Sequence, residues 1–155
     1  MNPEAITAVN HAMGVAGAVI CLGLSATGSG LGSGCAGIAA CGAWKKCYAQ
    51  NKPAPFILLG FVGAPLTQTL YGMILMFAML AKANAGLPIL VLGIFAGLAI
   101  GVSALFQGRC AAAACDAQAE TGQGITNYFG AIGIIETVAI FSLVFNLFAV
   151  FQIKV

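Results

Sequence analysis

The chain has 155 residues, of which 61% are hydrophobic and only 6% charged, with a formal net charge of +2. So much apolar content exceeds what the core of a soluble domain of this length needs, which excludes that class and points to an integral membrane protein. The small net charge and the absence of clusters mixing basic with aromatic residues exclude a nucleic-acid partner.

Stretches free of Asp, Glu, Lys and Arg run from Glu4 to Lys45, from Lys52 to Lys82 and from Lys82 to Arg109, and a fourth from Glu120 to Lys154 is broken only by Glu136. Each is longer than the roughly 20 residues a helix needs to cross the hydrocarbon. The spacing predicts four transmembrane helices over about 8–45, 54–82, 87–118 and 124–152. The apolar stretches do not alternate and carry few aromatics at their ends, so a membrane β-barrel is excluded and the expected class is all-α.

The first span is preceded by Met1–Met13, which has Glu4 and no basic region, and is therefore expected to be the retained start of the helix and not a signal peptide. His11 is expected at the interfacial end of this helix. Gly28, Gly30, Gly32, Gly34 and Gly37 follow. Each glycine in a helix costs about 0.5–1 kcal/mol against alanine, so the run implies close approach of helix backbones in lipid. Its G-x-G spacing is no dinucleotide site, because no βαβ unit surrounds it. The six cysteines, Cys21, Cys35, Cys41, Cys47, Cys110 and Cys115, form no C-x-x-C pair and are expected as packing residues. Lys45, Lys46 and Lys52 flank the loop between spans one and two, and Arg109 lies toward the loop between spans three and four. Lys82 and Lys154 lie at the opposite end, so the positive-inside rule places both loops in the cytoplasm and both termini outside.

In the second span Ala64, Thr67, Gln68 and Tyr71 stand at i, i+3, i+4 and i+7 and share one helical face. Pro65 has no N–H, which leaves the carbonyl of Phe61 without its helical partner and predicts a kink. The third span contributes Gln107, with Arg109 on another face, its side chain expected to snorkel toward the cytoplasm. The fourth holds Glu136, a lone membrane carboxylate. Such a group costs about 2.5–3.5 kcal/mol on insertion scales, faces the protein interior and marks ion or proton pathways. Counted inward from the loop side at about 1.5 Å per residue, Thr67 and Glu136 both lie roughly 18–20 Å deep, and Gln107 reaches a similar level. One carboxylate among neutral oxygen donors suits a hard cation or a transported proton.

The chain also repeats itself. Gly60, Gly63, Thr67, Leu70 and Tyr71 fall over Gly130, Gly133, Thr137, Ile140 and Phe141 at an offset of 70 residues, and Leu22, Gly23 and Ala26 fall over Leu92, Gly93 and Ala96 at the same offset. The expected architecture is therefore two tandem hairpins, about 8–82 and 87–152, in a single membrane domain of residues 1–155. Leu66 takes the position of Glu136, so each chain makes one ionisable site.

The glycine-rich first span, P-x-T-Q-x-L-Y-G at Pro65–Gly72, F-Q-G at Phe106–Gly108 and I-E-T at Ile135–Thr137 together resemble the proteolipid rotor subunit of V-type ATPases over nearly the whole chain. The resemblance implies a homo-oligomeric ring in the bilayer that turns against a stator membrane subunit, joined to central-stalk subunits. The glycine run would form the ring's inner wall. Within that family the chain resembles the sodium-binding bacterial members, which implies a bacterial plasma membrane. In those members a Na+ ion is held by the equivalents of the Ala64 carbonyl, Thr67, Gln68, Gln107 and Glu136, with Tyr71 supporting Glu136. The alternatives are the same rotor carrying H+ on Glu136, and a tetraspan scaffold in which Glu136 only joins helices. The chain has no P-loop, so it is expected to hydrolyse no ATP by itself.

Overall fold

A computed structural model describes residues 2–153. Helix α1 (Pro3–Ala49) begins ahead of the expected position near residue 8. Asn2 is the reason: its side chain accepts the backbone N–H of Glu4 at 3.2 Å, with Pro3 in the first turn where a missing N–H costs nothing. Helix α2 (Leu58–Gly63) starts later than residue 54, since Pro53 and Pro55 bias the residues before them away from helix. The Trp44 indole donates to the Pro55 carbonyl at 2.8 Å and ties this connection to α1.

Pro65 interrupts the second span as anticipated. A 3-10 turn (Ala64–Leu66) separates α2 from α3 (Thr67–Ala83). Helix α4 (Leu90–Thr121) follows Pro88 and is closed by Gly122 at φ +67°, and α5 (Ile125–Gln152) is entered from Gly124 at φ +84°. Those two left-handed positions favour glycine, and they turn the chain within three residues. Four segments, Pro3–Ala49, Leu58–Ala83, Leu90–Thr121 and Ile125–Gln152, are long and apolar enough to cross a membrane, and the described residues contain no strand.

Helices α1 and α4 run parallel at the centre. A Cβ added at Gly28 would collide with the backbone of Gly101, one at Gly93 with Gly17, and one at Gly108 with Gly32. Backbone meets backbone along this seam, where dispersion and the absence of side chains set the spacing. Helix α3 lies antiparallel on α1, with Gly72 against Ser25, and α5 lies antiparallel on α4. Helices α3 and α5 meet each other on the outer side, joined at one end by Lys82, whose Nζ donates to the Ile153 carbonyl at 2.8 Å.

The loops that follow α1 and α4 lie at the opposite end, where Lys46 pairs with Glu120 at 3.5 Å. That pair is half exposed and contributes little to stability. Helix α1, with 47 residues, is about 70 Å long, against a hydrocarbon core of about 30 Å. Part of α1 therefore extends beyond the hydrocarbon. Lys154, expected beside Lys82, lies outside the described residues.

Three expectations need revision. The glycine run of α1 does not act as one surface: Gly28 and Gly32 are pressed against α4, whereas Gly30 and Gly34 face open space. A helix made of small residues all round offers no contrast from which its buried side can be told. His11 is not at a helix end but in the third turn of α1, with both ring nitrogens buried and without a partner among the described residues. Arg109 does not extend away from the span: its guanidinium carbon lies 5.4 Å from the centre of the Phe106 ring, a cation–π contact. All six cysteines are free, and Cys21, Cys47 and Cys115 are buried.

The seam predicts unequal effects for two neighbouring glycines. Gly32→Leu forces α1 from α4 and should destabilise the protomer by at least the roughly 1–3 kcal/mol of an overpacked core. Gly30→Leu should leave protomer stability within about 0.5 kcal/mol, as surface substitutions do. Unfolding of the two variants in detergent, followed by circular dichroism, makes the comparison.

Candidate ion site

Glu136 lies on the side of α5 that faces α3 and α4, half-buried, four residues after Ile132. Three donors converge on its carboxylate. Thr67 Oγ1 and Tyr71 Oη each lie 2.7 Å from Oε1, and Gln107 Nε2 donates to Oε2 at 3.3 Å. The 3-10 turn at Pro65 places Thr67 at the first position of α3, and the helical period then carries Gln68 and Tyr71 around to the same side. The face predicted from spacing and the level predicted from depth thus coincide in one cluster.

The amide orientations follow from a chain of hydrogen bonds. The Ile132 carbonyl can only accept, and Gln107 Nε2 lies 3.3 Å from it. The nitrogen end of Gln107 is thereby fixed, so its Oε1 turns to Gln68 and accepts from Nε2 of that residue at 2.6 Å. Gln68 is left with its own oxygen directed at Thr67, 3.2 Å from Oγ1. Both glutamines are fully buried, where an unpaired amide would be costly, so the chain is strongly specified.

Thr67 is the meeting point. Its single hydroxyl hydrogen faces three acceptors: the Ala64 carbonyl at 3.1 Å, Gln68 Oε1 at 3.2 Å and Glu136 Oε1 at 2.7 Å. One hydrogen cannot serve three oxygens at once. The cluster therefore has more oxygen lone pairs than protons to fill them.

Sequence reasoning did not single out Ser103. Its hydroxyl donates to the Ile135 carbonyl at 2.9 Å and so holds the α5 backbone one residue before Glu136. Ser103 stands one turn before Gln107 on α4, and that spacing was the available signal. The described residues contain no group of three or more His, Cys, Asp or Glu side chains placed to hold a metal, so what chelating capacity exists here comes from neutral oxygens around one carboxylate.

Residues 90–149 match the family model for the C subunit of ATP synthase. The matched stretch is the α4 and α5 hairpin, which carries Gln107 and Glu136, and a search of curated proteins finds no significant match. The α4 and α5 hairpin is therefore similar to the C subunit of ATP synthase. The α1 to α3 hairpin lies outside the matched stretch and is tied to it by the internal repeat.

The amide chain predicts a stability effect separate from transport. Gln107→Leu leaves Gln68 Nε2 buried without an acceptor and should cost about 1–3 kcal/mol, whereas Ser103→Ala should cost about 0.5–1.5 kcal/mol. Thermal unfolding of both variants in detergent gives the ranking.

Proposed function

We propose that the chain is the rotor subunit of a V-type ATPase and that Glu136, Thr67, Gln68, Gln107 and the Ala64 carbonyl bind Na+ as the transported ion, with Tyr71 supporting Glu136. The observation that carries the sodium reading is the oxygen excess at Thr67. A hard monovalent cation placed among Ala64 O, Thr67 Oγ1, Gln68 Oε1 and a Glu136 oxygen satisfies lone pairs that one hydroxyl proton cannot. A proton on Glu136 would neutralise the carboxylate but would leave Gln68 Oε1 competing for the Thr67 hydrogen. The V-type reading rests on the doubled hairpin with a single carboxylate.

Each feature has a role in the cycle. Burial of the carboxylate is tolerable when a bound cation cancels its charge, so the loaded site can move through lipid. Gln107 Nε2 and Tyr71 Oη hold the carboxylate while its other contacts change. At the stator, a positive charge on another subunit would displace the cation and allow its release. Moving one charge against 100 mV costs about 2.3 kcal/mol, which ATP hydrolysis elsewhere in the complex supplies. The basic residues Lys45, Lys46 and Lys52 support a cytoplasmic loop end, with the opposite end outside a bacterial plasma membrane.

Glu136→Gln keeps the shape of the side chain and removes its charge, so coupled ion transport by the assembled complex should fall to background. Carbodiimide labelling of Glu136 decides between the ions. Sodium should protect the wild-type carboxyl, and Gln68→Leu should raise the sodium needed for protection roughly 10- to 100-fold, the equivalent of about 1.5–3 kcal/mol for a hydrogen-bond-strength contact to a charge. Equal protection of wild type and variant would remove Gln68 from the site. Absence of sodium protection in the wild type would establish the proton reading.

A further inference from the structure

A serine or threonine inside a helix can turn its hydroxyl back to the carbonyl four residues earlier. Thr7, Ser25 and Thr27 of α1 do so, with Ser25 Oγ donating to the Cys21 carbonyl and Thr27 Oγ1 to the Gly23 carbonyl, each at 2.8 Å. Ser29 and Ser33, the next hydroxyls along the same helix, do not. Both oxygens are buried without a hydrogen-bond partner among the described residues, and Ser29 is only 1% exposed. An unpaired buried hydroxyl is costly, and two of them one turn apart call for a common cause.

The packing of α1 on the second span locates them. Ser25, Ser29, Ser33 and Gly37 stand at intervals of four and form one row on α1. At one end of the row Ser25 abuts Gly72 of α3, and at the other Gly37 meets the side chain of Val62 in α2. Between them Gly32 lies against Pro65. In this antiparallel register Ser29 stands at the level of Gln68 and Ser33 at the level of Ala64. The two hydroxyls therefore lie on the α1 side of two residues that belong to the cluster around Glu136.

Gln68 has unmet capacity of its own. Its Nε2 carries two hydrogens and gives one to Gln107 Oε1 at 2.6 Å, while the other has no acceptor among the described residues, although the side chain is fully buried. An N–H hydrogen repels a cation, so this layer does not extend the ion cluster. A water molecule suits it, because water accepts from an N–H and exchanges either kind of bond with a hydroxyl. Side chains one helical turn apart have Cβ atoms about 5–6 Å apart, a span that one water bridges with two bonds of about 2.8 Å. Three polar partners are also the usual number for a buried water.

We infer that Ser29 and Ser33 hold a buried water molecule behind Gln68, and that this water positions the Gln68 amide with its oxygen toward Thr67. The water accepts from Gln68 Nε2 and donates to Ser29 Oγ, and Ser33 completes its shell. The Ile132 carbonyl fixes the amide chain from the α5 end, and the water fixes it from the α1 end. Ser29 is thus a positioning residue that touches no ion. Its effect on sodium rests on the proposed function, whereas the water site does not.

Solid-state NMR of the chain in bilayers, labelled with ¹⁵N-glutamine, reads the water directly. The side-chain amide signals lost in Gln68→Leu and Gln107→Leu identify the two residues. Magnetisation from water should reach the Gln68 amide in the wild type and fall several-fold when Ser29→Ala and Ser33→Ala are combined, a pair of changes that breaks no hydrogen bond between described residues. Ser29→Ala alone carries the test if the double variant does not insert. No transfer to Gln68 in the wild type, or equal transfer in wild type and variant, would overturn the water site. The Gln68 amide signal, single in the wild type, should broaden or split in the variant as the amide gains a second orientation, while that of Gln107 stays in place. An unchanged Gln68 signal would overturn the positioning role. Where sodium protects Glu136 from carbodiimide, the variant should need roughly 5- to 10-fold more of it, about 1–1.4 kcal/mol. Failure of sodium to protect the wild type would remove the sodium reading and leave both NMR outcomes to decide the water.

Discussion

A carboxylate within a bilayer needs partners, and the arrangement of this protein follows from supplying them to Glu136. No single helix can do so. Thr67 and Tyr71 come from α3, Gln107 from α4 and the carboxylate from α5, so three helices must hold a common level. The fit of the hydroxyls at 2.7 Å depends on where the 3-10 turn ends, because a shift of one residue would rotate Thr67 by about 100° away from Glu136. The helix interruption and the site are one feature seen from two sides.

The level is kept by contacts that have no chemistry of their own. Glycines on α1 and α4 bring the two backbones together, and Ser103 ties α4 to the α5 carbonyl beside Glu136. In lipid the hydrophobic effect offers helices no reason to associate, so shape and hydrogen bonding must do it. The buried pair Gln68 and Gln107 serves both purposes, joining α3 to α4 and orienting an oxygen toward the cluster.

Much of this was visible in the sequence, and what was not has physical causes. The four spans stand out because charges bound them, and the face bearing Thr67, Gln68 and Tyr71 follows from the helical period alone. Helix ends were less legible. Asn2 and Pro3 start α1 ahead of the charge-free stretch, and Pro53 and Pro55 hold back α2, local effects that hydropathy does not record. Ser103 escaped notice because a serine acquires its importance from a backbone 32 residues away in the chain. The split of the glycines between Gly28 and Gly32 on one side and Gly30 and Gly34 on the other needed the position of α4, since small residues surround the helix on every side.

The Ala64–Leu66 turn has a mechanical meaning as well. Helices α1 and α4 run unbroken for 47 and 32 residues, as two stiff rods laid side by side. The second span alone is divided, and the division falls beside Thr67. Compliance is therefore concentrated at the ion cluster and removed from the glycine seam behind it. A load applied at the loop end passes along the rods with little bending, while the outer layer can yield locally beside Thr67. The inner layer is the stiff one and the outer layer the compliant one.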